Sequence, residues 1–342
     1  MNQNNKKIVK VGDLNFGGGE IFVQSMLNAP AHDINANIAQ AKALAAVGCD
    51  VIRVAVPTIE DAKLISALKQ SVNTPIVADI HCDYKIALES VAAGADKIRI
   101  NPGNIGDDDR VKQVANACKN AGISIRVGVN SGSANGDIVQ SAIENIRLLE
   151  KFDFTDIVVS VKSSNVRETI AAYRELARLV PYPLHLGVTE AGTSRMGLIK
   201  SAIGIGSLLS DKIGDTIRVS LTADPIEEVK AAIDILKSIG LRKSVNIISC
   251  PTCGRCKIDV QRLATELEQA LQNNPPLEER LASAGTAVAV MGCAVNGPGE
   301  CKDADFGITG GDGMGLIFKH GEIVKRVDES RLIDALMEEI CS

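Results

Sequence analysis

The sequence has no tryptophan, and only six phenylalanines and three tyrosines in 342 residues. It has no run of basic residues interleaved with aromatics, and its formal net charge is −5. Both absences argue against nucleic acid as the main partner, because base stacking needs aromatics and a phosphate backbone needs clustered cations. No apolar run approaches the ~20 residues that span a bilayer. The N-terminal Met1-Asn2-Gln3-Asn4-Asn5-Lys6-Lys7 lacks the apolar region of a signal peptide. A cytoplasmic protein without a membrane partner is therefore expected. A dinucleotide loop is missing too. Gly204-Ile205-Gly206 has no third glycine and no strand-to-helix setting. It reads as a close helix contact or as part of a phosphate region, and neither nicotinamide nor flavin is expected.

Cysteine, by contrast, is plentiful. Nine in a cytosolic chain read as metal or redox chemistry rather than disulfides. Cys250-Pro251-Thr252-Cys253 puts two thiolates on one tight turn. Cys293 comes later, after the apolar run 287–290, and opens a Gly/Pro-rich stretch ending at Glu300. Gly297, Pro298 and Gly299 are expected to force a loop with unusual backbone angles, one that can hold Cys293 and Glu300 toward one point. Three soft thiolates and a carboxylate point to an iron–sulfur cluster with one iron held by oxygen. Structural zinc is the competing reading, although zinc sites of that kind favour cysteine and histidine over carboxylate. By spacing alone, Cys301 competes with Glu300 for the fourth position, and Cys256 is a further thiol. A carboxylate is a hard, displaceable ligand on a soft centre, whereas a thiolate would hold the site closed. Cys49, Cys82, Cys118 and Cys341 read as small buried hydrophobes.

The length suits two domains. Residues 1–20 read as a hairpin that plugs the bottom of the domain after it. Eight apolar, β-branched runs then recur at 21–26, 51–56, 75–80, 97–101, 124–129, 156–161, 183–189 and 216–221. Helical patterns separate them at 34–47, 59–69, 84–93, 109–121, 138–152, 166–179, 198–212 and 225–239. Gly48, Gly94, Gly122 and Gly240 stand where C-terminal caps belong. Eight βα units predict a (β/α)8 TIM barrel, with a doubly wound sheet as runner-up. The pattern changes after Leu241. A barrel over residues 1–242 and a small α+β iron–sulfur domain over 243–342 are expected, the latter with strands at 244–248, 286–291, 306–309, 315–319 and 323–327. Its helices are expected at 259–271 and 330–340, the first broken by Asn273-Asn274-Pro275-Pro276.

Buried parallel strands seldom carry charge, yet Arg53, Arg99, Arg126 and Arg218 each sit in an Ile-Arg-Val or Ile-Arg-Ile frame. With Lys162, they need internal carboxylates such as Asp79, or a phosphorylated ligand. Strand alternation puts Asp79 beside His81, Arg99 beside Asn101, and Arg218 beside Ser220. Asn130 and Glu190 also stand at strand ends. His185 lies early in its strand and reads as packing, and His320 as an exposed turn residue. The eighth helix returns the chain to the bottom face, and the link to Cys250 is short. A cluster is therefore expected to cap the mouth of a second subunit in a head-to-tail homodimer.

CPTCGR and MGCAVNGPGE resemble the signature of the bacterial 4-hydroxy-3-methylbut-2-en-1-yl diphosphate synthase family, iron–sulfur enzymes of the methylerythritol phosphate route to isoprenoids. DIHCDYKIAL, DKIRINPGNIG, IRVGVNSGS, VVSVKSS, HLGVTEAG, SAIGIGSLL and GDTIRVSLT extend the resemblance, in order, over nearly the whole chain. It implies that Arg53, Asp79, His81, Arg99, Asn101, Arg126, Asn130, Lys162, Arg218 and Ser220 bind a cyclic diphosphate. Glu190 would be the barrel carboxylate near the reacting carbons. Cys250, Cys253, Cys293 and Glu300 would hold a [4Fe–4S] cluster fed by flavodoxin or ferredoxin. The implied reaction is reductive ring opening and dehydration of 2-C-methyl-D-erythritol 2,4-cyclodiphosphate. The resemblance also implies the dimer. Two other readings are a pterin-binding type of barrel with a structural zinc domain, and a non-enzymatic electron carrier.

Overall fold

Short acidic and amide side chains set the helix starts. Asp33, Asp83, Asp107, Asp137, Asn165 and Asp224 each accept a backbone N–H from the first turn of the helix they precede. That satisfies donors which a helix start leaves orphaned. Glycine ends several helices: Gly48, Gly94, Gly122 and Gly240 have φ of +89°, +92°, +67° and +71°, in the region where a Cβ is penalised. The computed structural model describes residues 6–130, 137–293, 304–311 and 314–342. The chain divides into two compact units, the first ending at Ile239 and the second starting at Gly240.

The first unit is a TIM barrel. A hairpin of β1 (Val9–Val11) and β2 (Leu14–Phe16) precedes it. The barrel strands are β3 (Phe22–Met26), β4 (Val51–Ala55), β5 (Ile76–Asp79), β6 (Lys97–Ile100), β7 (Ser124–Asn130), β8 (Ile157–Lys162), β9 (His185–Leu186) and β10 (Thr216–Ile217). They pair in the order β8-β7-β6-β5-β4-β3-β10-β9. A parallel bridge between Val159 and Leu184 closes the ring. The outer helices include α1 (Ile34–Ala46), α2 (Lys63–Ser71), α3 (Tyr84–Ala92), α4 (Pro102–Ile105), α5 (Asp108–Ala121), α6 (Ile138–Glu150), α7 (Val166–Leu179), α8 (Ser194–Ser210) and α9 (Pro225–Ser238). Gly204 lies within α8, where a Cβ would stand 2.8 Å from Val188 Cγ2. Its glycine serves close helix packing.

The barrel interior is most apolar at its base. Val9, Val11 and Phe16 of the hairpin pack on Phe22, Val51, Val77 and Val158, at or near the start of their strands. Phe16 stacks on Phe22 with centroids 5.2 Å apart. Lys6 Nζ donates to Asp215 at 2.7 Å and Lys7 N to Pro181 O at 2.8 Å, tying the segment to the base.

The second unit carries the five-stranded sheet β11 (Asn246–Ser249), β12 (Ala287–Met291), β13 (Phe306–Gly310), β14 (Met314–Lys319) and β15 (Glu322–Asp328), paired in that order. The first three run parallel and the last two pairings are antiparallel. Val288 and Val290 face Leu263 and Leu267 of α10 (Val260–Gln272) and Leu336 of the closing helix Leu332–Cys341. One helix departs from expectation. The chain does not simply break at Asn273–Pro276; it restarts as α11 (Pro275–Ala284). Asn274 accepts from Leu277 N, and Pro275 sits in the first turn, where no N–H is needed.

Phe16→Ala is expected to cost about 3–5 kcal/mol by emptying the base of the barrel. Urea unfolding of the variant checks this, and a loss below about 1 kcal/mol would mean the hairpin is not part of the core.

Candidate functional site

Paired strands share a face, and the inward face above the apolar base is charged. Register couples Asp79 to Arg99 and Arg99 to Arg126. Asp79 is the hub: it accepts from Arg53 Nη2 at 2.6 Å and from Arg99 Nη1 at 3.1 Å. Burial pushes its carboxyl pKa up, but Arg53, Arg99 and Arg126 outweigh burial and bring it down to about 2. Arg126 is almost wholly buried, and its Nε and Nη1 have no partner. Burial and the guanidinium groups of Arg53 and Arg99 oppose its charge.

A second carboxylate serves the far side of the ring. Glu228, buried on α9, accepts from Arg218 Nη2 at 3.3 Å, Ser25 Oγ at 3.4 Å and Leu221 N at 2.9 Å. Lys162, buried at the end of β8, has its Nζ 3.4 Å from His185 Nε2. Burial first, then Arg126, Arg218, Arg53 and Arg99, push this lysine well below its ordinary range.

The other expected residues are more scattered. β5 ends at Asp79, so strand alternation does not carry on to His81, which is exposed in the bend after the strand. Asn101 is buried one residue past β6 and caps α4, accepting from Gly103 N at 3.3 Å. Asn130 and Ser220 are half-buried, and Asn130 pairs in register with Lys162. Glu190 is exposed on the loop after β9 and holds φ +51°, a strained angle for a non-glycine residue. Lys97, Gln24, Ser124 and Thr216, which sequence reading passed over, are buried with unpartnered polar atoms in the barrel interior. Lys97 Nζ lies 4.4 Å from the Phe16 ring centre. Alternation from Arg99 and Arg126 would have found Lys97 and Ser124, two residues earlier on the same faces. His185, expected to be a packing residue, is indeed buried, and its ring meets Lys162.

In the second unit, the parallel pairing of β11 with β12 brings two cysteine segments to one sheet end. Cys250 N donates to Val290 O at 3.2 Å, and Gly292 N donates to Cys250 Sγ at 3.3 Å. Cys250, Cys253, Cys256 and Cys293 line one pocket with Arg255, Met291 and Gly292. Hydrogen bonds from the Arg255 backbone and side chain hold the Cys253 thiol below its ordinary range and favour thiolate. Cys256 instead donates its S–H to Ile258 O at 3.0 Å. A Cβ on Gly292 would stand 2.3 Å from Cys256 Sγ, so any side chain there would force the Cys256 thiol to shift. Among the described residues, no three His, Cys, Asp or Glu side chains gather tightly enough for a single metal ion. A cubane does not ask for that, because each thiolate binds a different iron. Soft donors spread around one pocket suit it. Glu300 and Cys301 lie outside the described residues. Cys49 and Cys118 are buried as expected, whereas Cys82 and Cys341 are exposed, Cys341 at the last turn of the closing helix.

Asp79→Ala should cost about 3–5 kcal/mol by leaving Arg53 and Arg99 without their shared carboxylate. The lowered pKa sets the sign with pH. The wild-type contribution is full above the unfolded value near 4 and is lost as pH falls from there through about 2. Denaturant melts at neutral and acid pH test this: the gap between the two proteins should narrow on acidification.

The sequence matches the GcpE TIM-barrel domain over residues 6–233 and the GcpE protein C-terminal domain over residues 246–342. It is 52% identical to a protein of Caldicellulosiruptor saccharolyticus, with 98% of each chain covered, and 50% identical to one of Fusobacterium nucleatum, with 99% of this chain and 97% of that one covered. Both relatives are named 4-hydroxy-3-methylbut-2-en-1-yl diphosphate synthase (flavodoxin). Among solved structures, the dihydropteroate synthase of Yersinia pestis aligns with a TM-score of 0.52 at 13% identity, over 69% of this chain and all of that one. That likeness is one of fold.

Proposed function

The chain belongs to the GcpE family, and from that premise we propose how its residues share one reaction. It is an oxidoreductase that converts 2-C-methyl-D-erythritol 2,4-cyclodiphosphate to 4-hydroxy-3-methylbut-2-enyl diphosphate in isoprenoid precursor synthesis. In ionised form the reaction consumes two electrons and one proton and releases water. The relatives' name gives flavodoxin as their electron donor, and the same donor is assigned here.

The ring of inward cations is the observation that carries the substrate assignment. Arg53, Arg99, Arg126, Lys162 and Arg218 surround a space whose described carboxylates, Asp79 and Glu228, are already engaged. A cyclic diphosphate fits that surplus, with guanidinium forks suited to bidentate phosphate contacts. Asn101, Asn130, Ser220 and His81 would add neutral contacts around the ring oxygens. Glu190, on its strained loop, would stand near the reacting carbons as proton donor or electrostatic stabiliser. Cys250, Cys253 and Cys293, with Glu300, would hold a [4Fe–4S] cluster. When bound, this group supplies electrons singly. The barrel residues hold the diphosphate, orient the leaving oxygen and exclude water. Because α9 delivers the chain to the base of the barrel at Gly240, we also retain the head-to-tail dimer, in which the mouth of one copy is served by cysteines of another.

Three measurements test this reading. Anaerobically purified protein should be brown, with about four irons per chain as a [4Fe–4S] centre requires; a colourless protein with stoichiometric zinc after reconstitution would remove the redox chemistry. Arg126→Ala and Arg218→Ala should each weaken cyclodiphosphate binding at least tenfold while leaving electron uptake by the holoenzyme intact. For the dimer, a Glu190→Ala subunit mixed with a Cys250→Ala subunit should regain activity. Heterodimers that form yet stay inactive would assign each barrel its own cluster.

A further inference from the structure

Lys162 does not present its amine to the open end of the barrel. The bridge between Val159 and Leu184 sets Lys162 level with Gly187 and places His185 one pleat nearer the base. Lys162 Nζ lies 3.4 Å from His185 Nε2, so the side chain folds back toward the base. Gly187 leaves room for the fold: a Cβ there would stand 2.7 Å from the backbone oxygen of Arg218, 2.7 Å from Lys162 Nζ and 3.2 Å from its Cε. Tyr173 of α7 fixes the strands on both sides, accepting from Val161 N and donating to His185 O.

The charges around this pair are of one sign. Arg126, Arg218, Arg53 and Arg99 face Lys162, and Lys97 also bears on His185. Asp79 is committed to Arg53 and Arg99, and Glu228 to Arg218. Among the described residues no carboxylate forms an ion pair with Lys162. A further cation at this point is opposed by its neighbours and by burial until an anion arrives.

We propose that the Lys162–His185 pair is a proton-uptake site loaded by the substrate. In the empty barrel, His185 donates from Nε2 to a neutral Lys162 amine. A diphosphate in the mouth draws the amine up past Gly187, where it takes one proton from solvent and meets the phosphate as ammonium. No bond other than N–H is made, and no electron moves. His185 is a positioning residue in this scheme, holding the lysine in its uncharged resting place. Binding thereby brings into the site one proton, the number that the net reaction consumes. The inference rests on the diphosphate-site reading given above.

The test is calorimetric binding of 2-C-methyl-D-erythritol 2,4-cyclodiphosphate to the holoenzyme without reductant, in two buffers of different ionisation enthalpy, between pH 7 and 9. The wild type should take up close to one proton per ligand. Lys162→Met should bind at least tenfold more weakly and take up none. His185→Leu should bind within a few-fold of wild type but take up clearly less than one proton at the same pH, because without the contact to His185 its amine leaves the buried resting place and is already charged in the mouth. His185→Gln, whose amide can still donate, should restore the uptake. Binding without proton uptake in the wild type, or full uptake in Lys162→Met, would overturn the inference and leave the phosphate site standing. Unchanged affinity in Lys162→Met would instead remove Lys162 from that site.

Discussion

The barrel is organised around an excess of buried basic groups over acidic ones. Arg53, Lys97, Arg99, Arg126, Lys162 and Arg218 point inward, against Asp79 and Glu228 as the described carboxylates among them. The arrangement costs folding energy, because polar atoms are left unpaired at Arg126, Lys97, Gln24 and Thr216. Such a cost persists where a ligand of opposite sign completes the pairing. The two carboxylates are placed accordingly. Asp79 bridges neighbouring strands on one side, and Glu228 reaches in from a helix on the other. They keep the arginines apart and aimed rather than neutralised.

Much of this was legible in the sequence. The eight βα units, their capping residues and the Ile-Arg-Val frames announced both the barrel and its charge. The charge argument correctly named Asp79 as an internal partner of the arginines, and alternation was applied along each strand. Alternation failed where strands stop early. β5 ends at Asp79 and β6 at Ile100, so His81 and Asn101 obey bend and cap geometry instead of the pleat. Glu228 was invisible for another reason. It lies on an outer helix, and only the closed barrel brings that helix face against Ser25 and Arg218. The role of Gly187 is likewise tertiary, since nothing local in HLGVTE says that a lysine from the preceding strand lies over it.

The second unit shows the same division. Its cysteine motifs were recognisable as motifs, but their meeting at one sheet end is a product of parallel pairing between β11 and β12. The Asn-Pro-Pro sequence reads as a terminator, yet the same residues that end one helix are suited to begin the next. Gly292 is fixed by the sulfur of Cys256, a constraint that spacing along the chain does not reveal.

The hairpin of Val9, Val11 and Phe16 stoppers the barrel from below with fully buried side chains, so among the described residues the interior is shut at its base. In the proposed reaction, substrate would therefore enter, and product leave, by the opposite end. A product that lingers there would bar the next arrival. Turnover in such a compartment would then depend on how quickly its mouth clears.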